Sequence, residues 1–184
     1  MFDEKYAGQV LMINNSRDAL MAALCYLGYD INTTDEAQLT EAFRLVKDAK
    51  DKGVYQAFVM DEVLGKMEGG NAAIAMYYAG DYLTMLENNE DLAFVIPEEG
   101  SNWFVDAMCA NLANMDYIWY ASPNAEALAD YPAYYEAEYE EPLDEDIYSI
   151  MAIPDEERAR CELYVNLPQE TLKFYDKLWT QLGV

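Results

Sequence analysis

The sequence predicts an α/β fold, a mostly parallel sheet covered by helices, with a helical C-terminal segment. Three observations carry that expectation. Short apolar runs alternate with longer segments of helical periodicity, the rhythm of strand–helix–strand units. Glycines and capping residues mark the boundaries between them. The chain has 184 residues, 53% of them apolar, which suffices for one domain with a real core.

In chain order, GQVLMIN (8–14) is short, apolar and flanked by polar residues, as a buried strand is. NSRDALMAALCYLGYD is a helix that Asn15 or Ser16 can cap and Gly28 ends. NTTDEAQLTEAFRLVKDAKDKG is a second helix. Thr33 and Glu36 have capping-box spacing, Leu39, Ala42, Phe43 and Val46 make one apolar stripe, and Gly53 closes it. Next come a strand at 54–59, a short helix at 61–67, a strand at 72–78, a helix in GDYLTMLENN and a strand at 92–97 ended by proline. The turn EEGSN leads into WFVDAMC (103–109), a further strand. Residues 125–148 mix acids and tyrosines and predict a helix, then an acidic loop or a helical hairpin. PDEERARCELY has a proline–acid helix start, and LPQETLKFYDKLWTQLG is a final amphipathic helix with Leu172, Tyr175, Leu178, Trp179 and Leu182 on one face. This reading divides the chain into an α/β part, 1–109, and a mainly helical part, 110–184, packed on the same domain.

Composition removes several functions. Thirty-five acids face 11 bases, a formal charge of −24, and no lysine or arginine stands between Lys66 and Arg158. Such a surface disfavours nucleic acid and anionic lipid and attracts metals, amines and basic proteins. Most of these acids are read as a solvated surface. The chain has no histidine, which removes Ser-His-Asp and Cys-His nucleophile pairs and histidine-bound metals. EGGNAA (68–73) lacks the spacing of a phosphate-binding loop. Cys25, Cys109 and Cys161 form no close pair and are expected to be reduced, buried thiols. No apolar run reaches the length of a membrane span, and no signal segment opens the chain, so an export signal is expected elsewhere if the parent is exported.

A protein that holds a small polycation needs a carboxylate for each ammonium and flat apolar walls for the methylenes. Aromatic faces supply the walls and add cation–π attraction. The signature is single carboxylates beside aromatics at strand ends and helix starts, in an α/β crevice. Asp106 sits beside Trp103 and Phe104 in an otherwise uncharged run. Asp18 lies in the first turn of the first helix, where stabilising the helix N-terminus or pairing with Arg17 explains it as well. Tyr77 and Tyr78 end a strand, and Trp119 and Tyr120 precede ASPN; packing explains each of these as well.

GQVLMINNSRDALMAALCYLGYDINTTD, AIAMYYAGDYLTM, FVIPEEGSNWFVDAMC, YASPN and the C-terminal CELYVNL…FYDKLWTQL together resemble the polyamine-binding protein of spermidine/putrescine ABC importers. The resemblance implies a periplasmic-binding-protein-like (type II) α/β lobe that captures putrescine or spermidine for an ABC permease. It implies no catalysis, cofactor or metal, and a periplasmic or extracellular, membrane-associated location. Residue by residue, it makes Asp18 an acid that meets an amine and places Asn15 where some members have a second acid. Tyr78 and Phe104 fall at stacking aromatics, Asp106 at a ligand carboxylate, Tyr120 at the tyrosine before x-T/S-P-N, and Tyr164 near a polar contact. Asp106 is then expected in a crevice at the sheet's C-terminal edge, within reach of Asp18 and Tyr78. Two departures qualify the match. The chain begins where the family's second lobe begins, and CANLANMDYIWYASPN is too short for the family's intervening helix. The expectation is a fragment with an internal deletion or a divergent, shortened relative, able to dimerise through the face left by the missing lobe.

One rival reading is an acidic interaction domain that binds a basic protein through 130–148. A carboxylate-pair glycosidase is weaker, because no spacing singles out an acid/base pair.

Overall fold

The central strand, β1 (Val10–Ile13), is apolar throughout and buried along its whole length. A strand covered on both faces belongs at the middle of a parallel sheet. The computed structural model, which describes residues 1–103 and 125–184, places it there. β1 pairs in parallel with β2 (Tyr55–Val59) on one side and with β3 (Ile74–Ala75) on the other, in the order β2-β1-β3. Parallel neighbours require helical crossovers. These are α1 (Ser16–Leu27) and α2 (Glu36–Asp51) between β1 and β2, and α3 (Glu62–Glu68) between β2 and β3.

The described residues fall into two compact units. The first comprises Met1–Tyr77, Val95–Trp103 and Arg160–Val184. The second comprises Tyr78–Phe94 and, among described residues, 125–159. The expected boundary at 109/110 lies outside the described residues.

In the first unit, α1 ends as its sequence predicts. Gly28 adopts φ 73°, and the Tyr29 N–H reaches back to the Leu24 carbonyl at 2.9 Å. The start of α2 differs from expectation. Thr33 does not cap it; Asp35 does, accepting from the Ala37 N–H at 2.7 Å. Thr33 instead accepts from the Asp35 N–H and donates to Gln38. The stripe Leu39, Ala42, Phe43 and Val46 is buried as predicted. The last helix, α8 (Gln169–Leu182), packs on α1 and α2 and buries Thr171, Tyr175, Leu178 and Leu182. Leu172 and Trp179 from the predicted face are half-buried, with Trp179 edge-on to Phe58. Lys50 donates to the Leu182 and Gly183 carbonyls and so closes the helix end.

A second parallel pair, β4 (Ser101–Trp103) with β5 (Cys161–Leu163), completes this unit. Gly100 makes their approach feasible: at φ 100°, a Cβ there would lie 2.4 Å from the Arg160 carbonyl oxygen. The expected strand at 92–97 forms no ladder. Its chain is extended, but Val95 is 77% exposed, and β-rich composition makes no strand without a neighbour to pair with. Of the expected strand 103–109, only Trp103 lies within the described residues. Cys25 and Cys161 form no disulfide among the described residues and are half-buried rather than buried; Cys109 is outside the described residues. Burial pushes the Cys25 thiol up to about 11, so it stays protonated and unreactive at neutral pH.

The second unit contains α4 (Ala79–Leu86), α5 (Ala125–Tyr139), α6 (Glu145–Met151) and α7 (Asp155–Arg158) around Leu83, Tyr131 and Met151. Helix α5 is followed by a second helix, α6, where the sequence reading left an acidic loop or a helical hairpin open. Pro132 sits inside α5 and has no N–H for the carbonyl of Leu128 four residues back. The Tyr148 hydroxyl, from α6, donates to that carbonyl instead at 3.3 Å. Tyr148→Phe should therefore destabilise this unit by about 0.5–1.5 kcal/mol. Urea unfolding followed by far-UV circular dichroism measures the loss.

Candidate functional site

In a sheet ordered β2-β1-β3, the chain leaves β1 for one side and later returns to the other. The crevice at such a switch point opens at the carboxyl ends of β1 and β3. Here those ends carry Asn14 and Asn15 after β1, and Met76 and Tyr77 after β3. Asn15 is extended and caps α1: its Oδ1 accepts from the N–H groups of Arg17 (3.0 Å) and Asp18 (3.2 Å). Both lone pairs of that oxygen are thereby engaged, leaving only the amide N–H groups for other partners.

Asp18 follows in the first turn of α1 and is 7% exposed. The helix N-terminus favours its negative charge, but burial dominates. Burial raises its carboxyl above the usual Asp range, against the opposing pull of the Tyr164 hydroxyl and the Arg17 guanidinium. Tyr164 donates to Asp18 Oδ1 at 2.9 Å across 146 residues of chain. The phenol is in turn pushed well up, chiefly by burial and then by the Asp18 charge. Arg17 does not pair with Asp18. Its guanidinium lies 4.0 Å over the Tyr164 ring and donates to Asn32 Oδ1 (3.0 Å) and the Val165 carbonyl (2.8 Å). Asp18 thus forms no ion pair among the described residues.

Of the residues singled out from sequence, the structure brings Asp18 and Tyr164 into contact, with Asn15 shaping the turn beneath them. Tyr78, half-buried, is the N-cap residue of α4 in the other unit. Phe104, Asp106 and Tyr120, and with them the expected crevice around Asp106, lie outside the described residues. Sequence reasoning missed Asn32 and the real role of Arg17. INTTD marks a turn, but nothing local to it signals a contact with residues 163–165. A separate cavity of about 310 Å³ lies at the other end of α1, lined by Cys25, Asp30, Glu99, Ser101, Arg160 and Glu162. It does not include Asp18.

Residues 1–144 match the family of bacterial extracellular solute-binding proteins. The chain belongs to that family. The norspermidine sensor of Vibrio cholerae is 27% identical over 151 residues, covering 69% of this chain and 42% of its own length. The spermidine/putrescine-binding periplasmic protein of Escherichia coli K12 is 25% identical over 118 residues, covering 63% of this chain and 33% of its own. A solved structure described as a spermidine/putrescine ABC transporter from Listeria monocytogenes superposes with a TM-score of 0.79 at 25% identity, over 100% of this chain and 60% of that one. A spermidine/putrescine ABC transporter substrate-binding protein from Streptococcus pneumoniae gives 0.76 at 23% identity, over 99% and 59%. The chain therefore spans less than half the length of these sequence relatives and about 60% of these structures. The superpositions bear out the expected periplasmic-binding-protein-like α/β fold, and the family match bears out the resemblance read from the motifs. No helix among the described residues is long and apolar enough to cross a membrane.

Proposed function

We propose that this chain captures a polyamine, putrescine or spermidine, as the solute-binding part of an ABC importer, outside the cytoplasmic membrane and without chemistry. Asp18 carries the reading. A carboxylate 7% exposed and without an ion-pair partner among the described residues is costly in a low-dielectric site, and a ligand ammonium relieves that cost. Its place at the carboxyl edge of β1 is where α/β folds bind ligands. The names of the polyamine-binding relatives supply the ligand class. Tyr164 acts through its hydroxyl, because Arg17 already covers its ring. Tyr78, Phe104, Asp106 and Tyr120 belong to the proposal through the family resemblance alone, and the permease partner does too.

One charge-assisted pair contributes about 1.5–3 kcal/mol and an aromatic face about 0.5–1. That sum, about 2–4 kcal/mol, corresponds to a dissociation constant of about 1–30 mM, weakened further by salt. Titration of the isotopically labelled chain with spermidine and putrescine, followed by amide NMR, should show saturable shifts at residues 15–18 and 164. Shifts spread over the acidic surface and reproduced by magnesium would overturn this reading. The rival reading rests on the exposed acids from Glu136 to Asp146, which have no basic neighbour in sequence. Salt-sensitive binding of a basic protein with no response to polyamines at residues 15–18 would favour it.

A further inference from the structure

The Asp18–Tyr164 contact joins two distant parts of the chain, so something must fix the position of Tyr164. Regular pairing cannot do it: β5 ends at Leu163, one residue earlier. The side chain of Asn32 is bonded on either side of Tyr164. Its Nδ2 donates to the Leu163 carbonyl at 3.0 Å, and its Oδ1 accepts from the Val165 N–H at 3.0 Å. A residue of a neighbouring parallel strand bonds its partner in this way, giving its N–H to the residue before and taking an N–H from the residue after. The amide of Asn32 thus stands in for one residue of a missing strand.

The amide and the backbone that carries it are both held. The Arg17 guanidinium donates to the same Oδ1, and the Asn32 backbone N–H donates to Asp30 Oδ1 at 2.6 Å. With two donors facing Oδ1 and a carbonyl facing Nδ2, only one orientation of the amide satisfies all partners. Leu163 and Val165 point to solvent while Tyr164 turns inward, so the clamp sets which way the phenol faces.

We infer that Asn32 is the positioning residue of the Asp18 site, acting as a single-residue strand mimic that presents the Tyr164 hydroxyl to the carboxylate. The inference deepens the polyamine reading, and its ligand arm rests on that reading. Its structural arm does not.

The test compares Asn32→Ala, Tyr164→Phe and the double variant in the full chain. The Asp18 side-chain carboxyl is titrated by carbon NMR without ligand. Tyr164→Phe should raise the Asp18 titration midpoint by removing the bond to the ionised form. Asn32→Ala should raise it as well, and the double variant should add little to either, the mark of two residues acting through one contact. Spermidine binding should weaken about tenfold in each single variant, or ~1.4 kcal/mol, again without adding in the double. If Asn32→Ala does not fold, Asn32→Asp keeps the volume and Oδ1 but turns an oxygen toward the Leu163 carbonyl, and it carries the same test. An Asp18 midpoint unchanged by the Asn32 variants, or effects that add fully with Tyr164→Phe, overturns the inference. If spermidine leaves the wild-type chain unmoved, the polyamine reading fails, while the ligand-free titrations still decide the role of Asn32.

Discussion

Asp18→Asn should weaken spermidine binding by about 10–100-fold while raising the stability of the ligand-free chain. The binding loss is that of one charge-assisted contact, about 1.5–3 kcal/mol. The NMR isotherm should change from a saturating curve to a straight line. The stability gain follows from the sign of the linkage. In the folded chain the Asp18 carboxyl titrates above its ordinary value of 3.8, chiefly because it is buried. Between the unfolded and folded midpoints the native state binds more protons than the unfolded state, so stability falls as pH rises through that window. Above the folded midpoint the whole penalty is present. Asparagine removes it while its side-chain oxygen still accepts from Tyr164. Thermal unfolding should show Asp18→Asn above wild type at pH 7 and the two converging below the ordinary Asp range. The opposite sign at pH 7 would make Asp18 a structural carboxylate rather than one held for a ligand. Binding sites commonly carry such a trade between stability and function.

What could be read from the sequence was mainly local. The β1 strand, the Gly28 stop and the stripes of α2 and α8 follow from hydrophobic period and cap chemistry within a few residues, and the structure reproduces them. The start of α2 was read at Thr33, but Asp35 is as good a cap; the structure uses Asp35 for the helix and Thr33 for the turn before it. Residues 92–97 have strand composition but no strand partner among the described residues, and pairing is a property of two segments. The same limit hid the β4–β5 ladder, whose strands are 60 residues apart (Ser101 against Cys161). At the site, Asp18 stood out by its place in the first turn of α1, whereas Tyr164 was singled out only through the family resemblance and its bond to Asp18 was not foreseen. Asn32 was not singled out at all: its backbone forms a local turn, and its side chain works 131–133 residues away.

The largest stability effect should come from Tyr131→Ala in the second unit. Tyr131 is 0% exposed and stands at the centre of a cluster with Leu83 and Met151. Its ring stacks on Tyr134 at 6.3 Å and meets Tyr135 edge-on at 6.2 Å. Truncating a buried aromatic costs about 3–5 kcal/mol, the lost transfer energy plus the cavity left behind. Aromatic contacts of this kind add about 0.5–1.5 kcal/mol to the loss. A unit this small has little surplus to offset it, since whole domains rest on only about 5–15 kcal/mol. Among the described residues, the core of the first unit, around β1, α1 and α2, shares no member with the Tyr131 cluster. Tyr131→Ala should therefore act unevenly. Amide hydrogen exchange should lose its protection in α4, α5 and α6 while β1, β2 and α1 keep theirs. Uniform loss across both units would show that they unfold as one cooperative body. An unchanged exchange pattern would mean that the Tyr131 cluster contributes little to holding α5 in place.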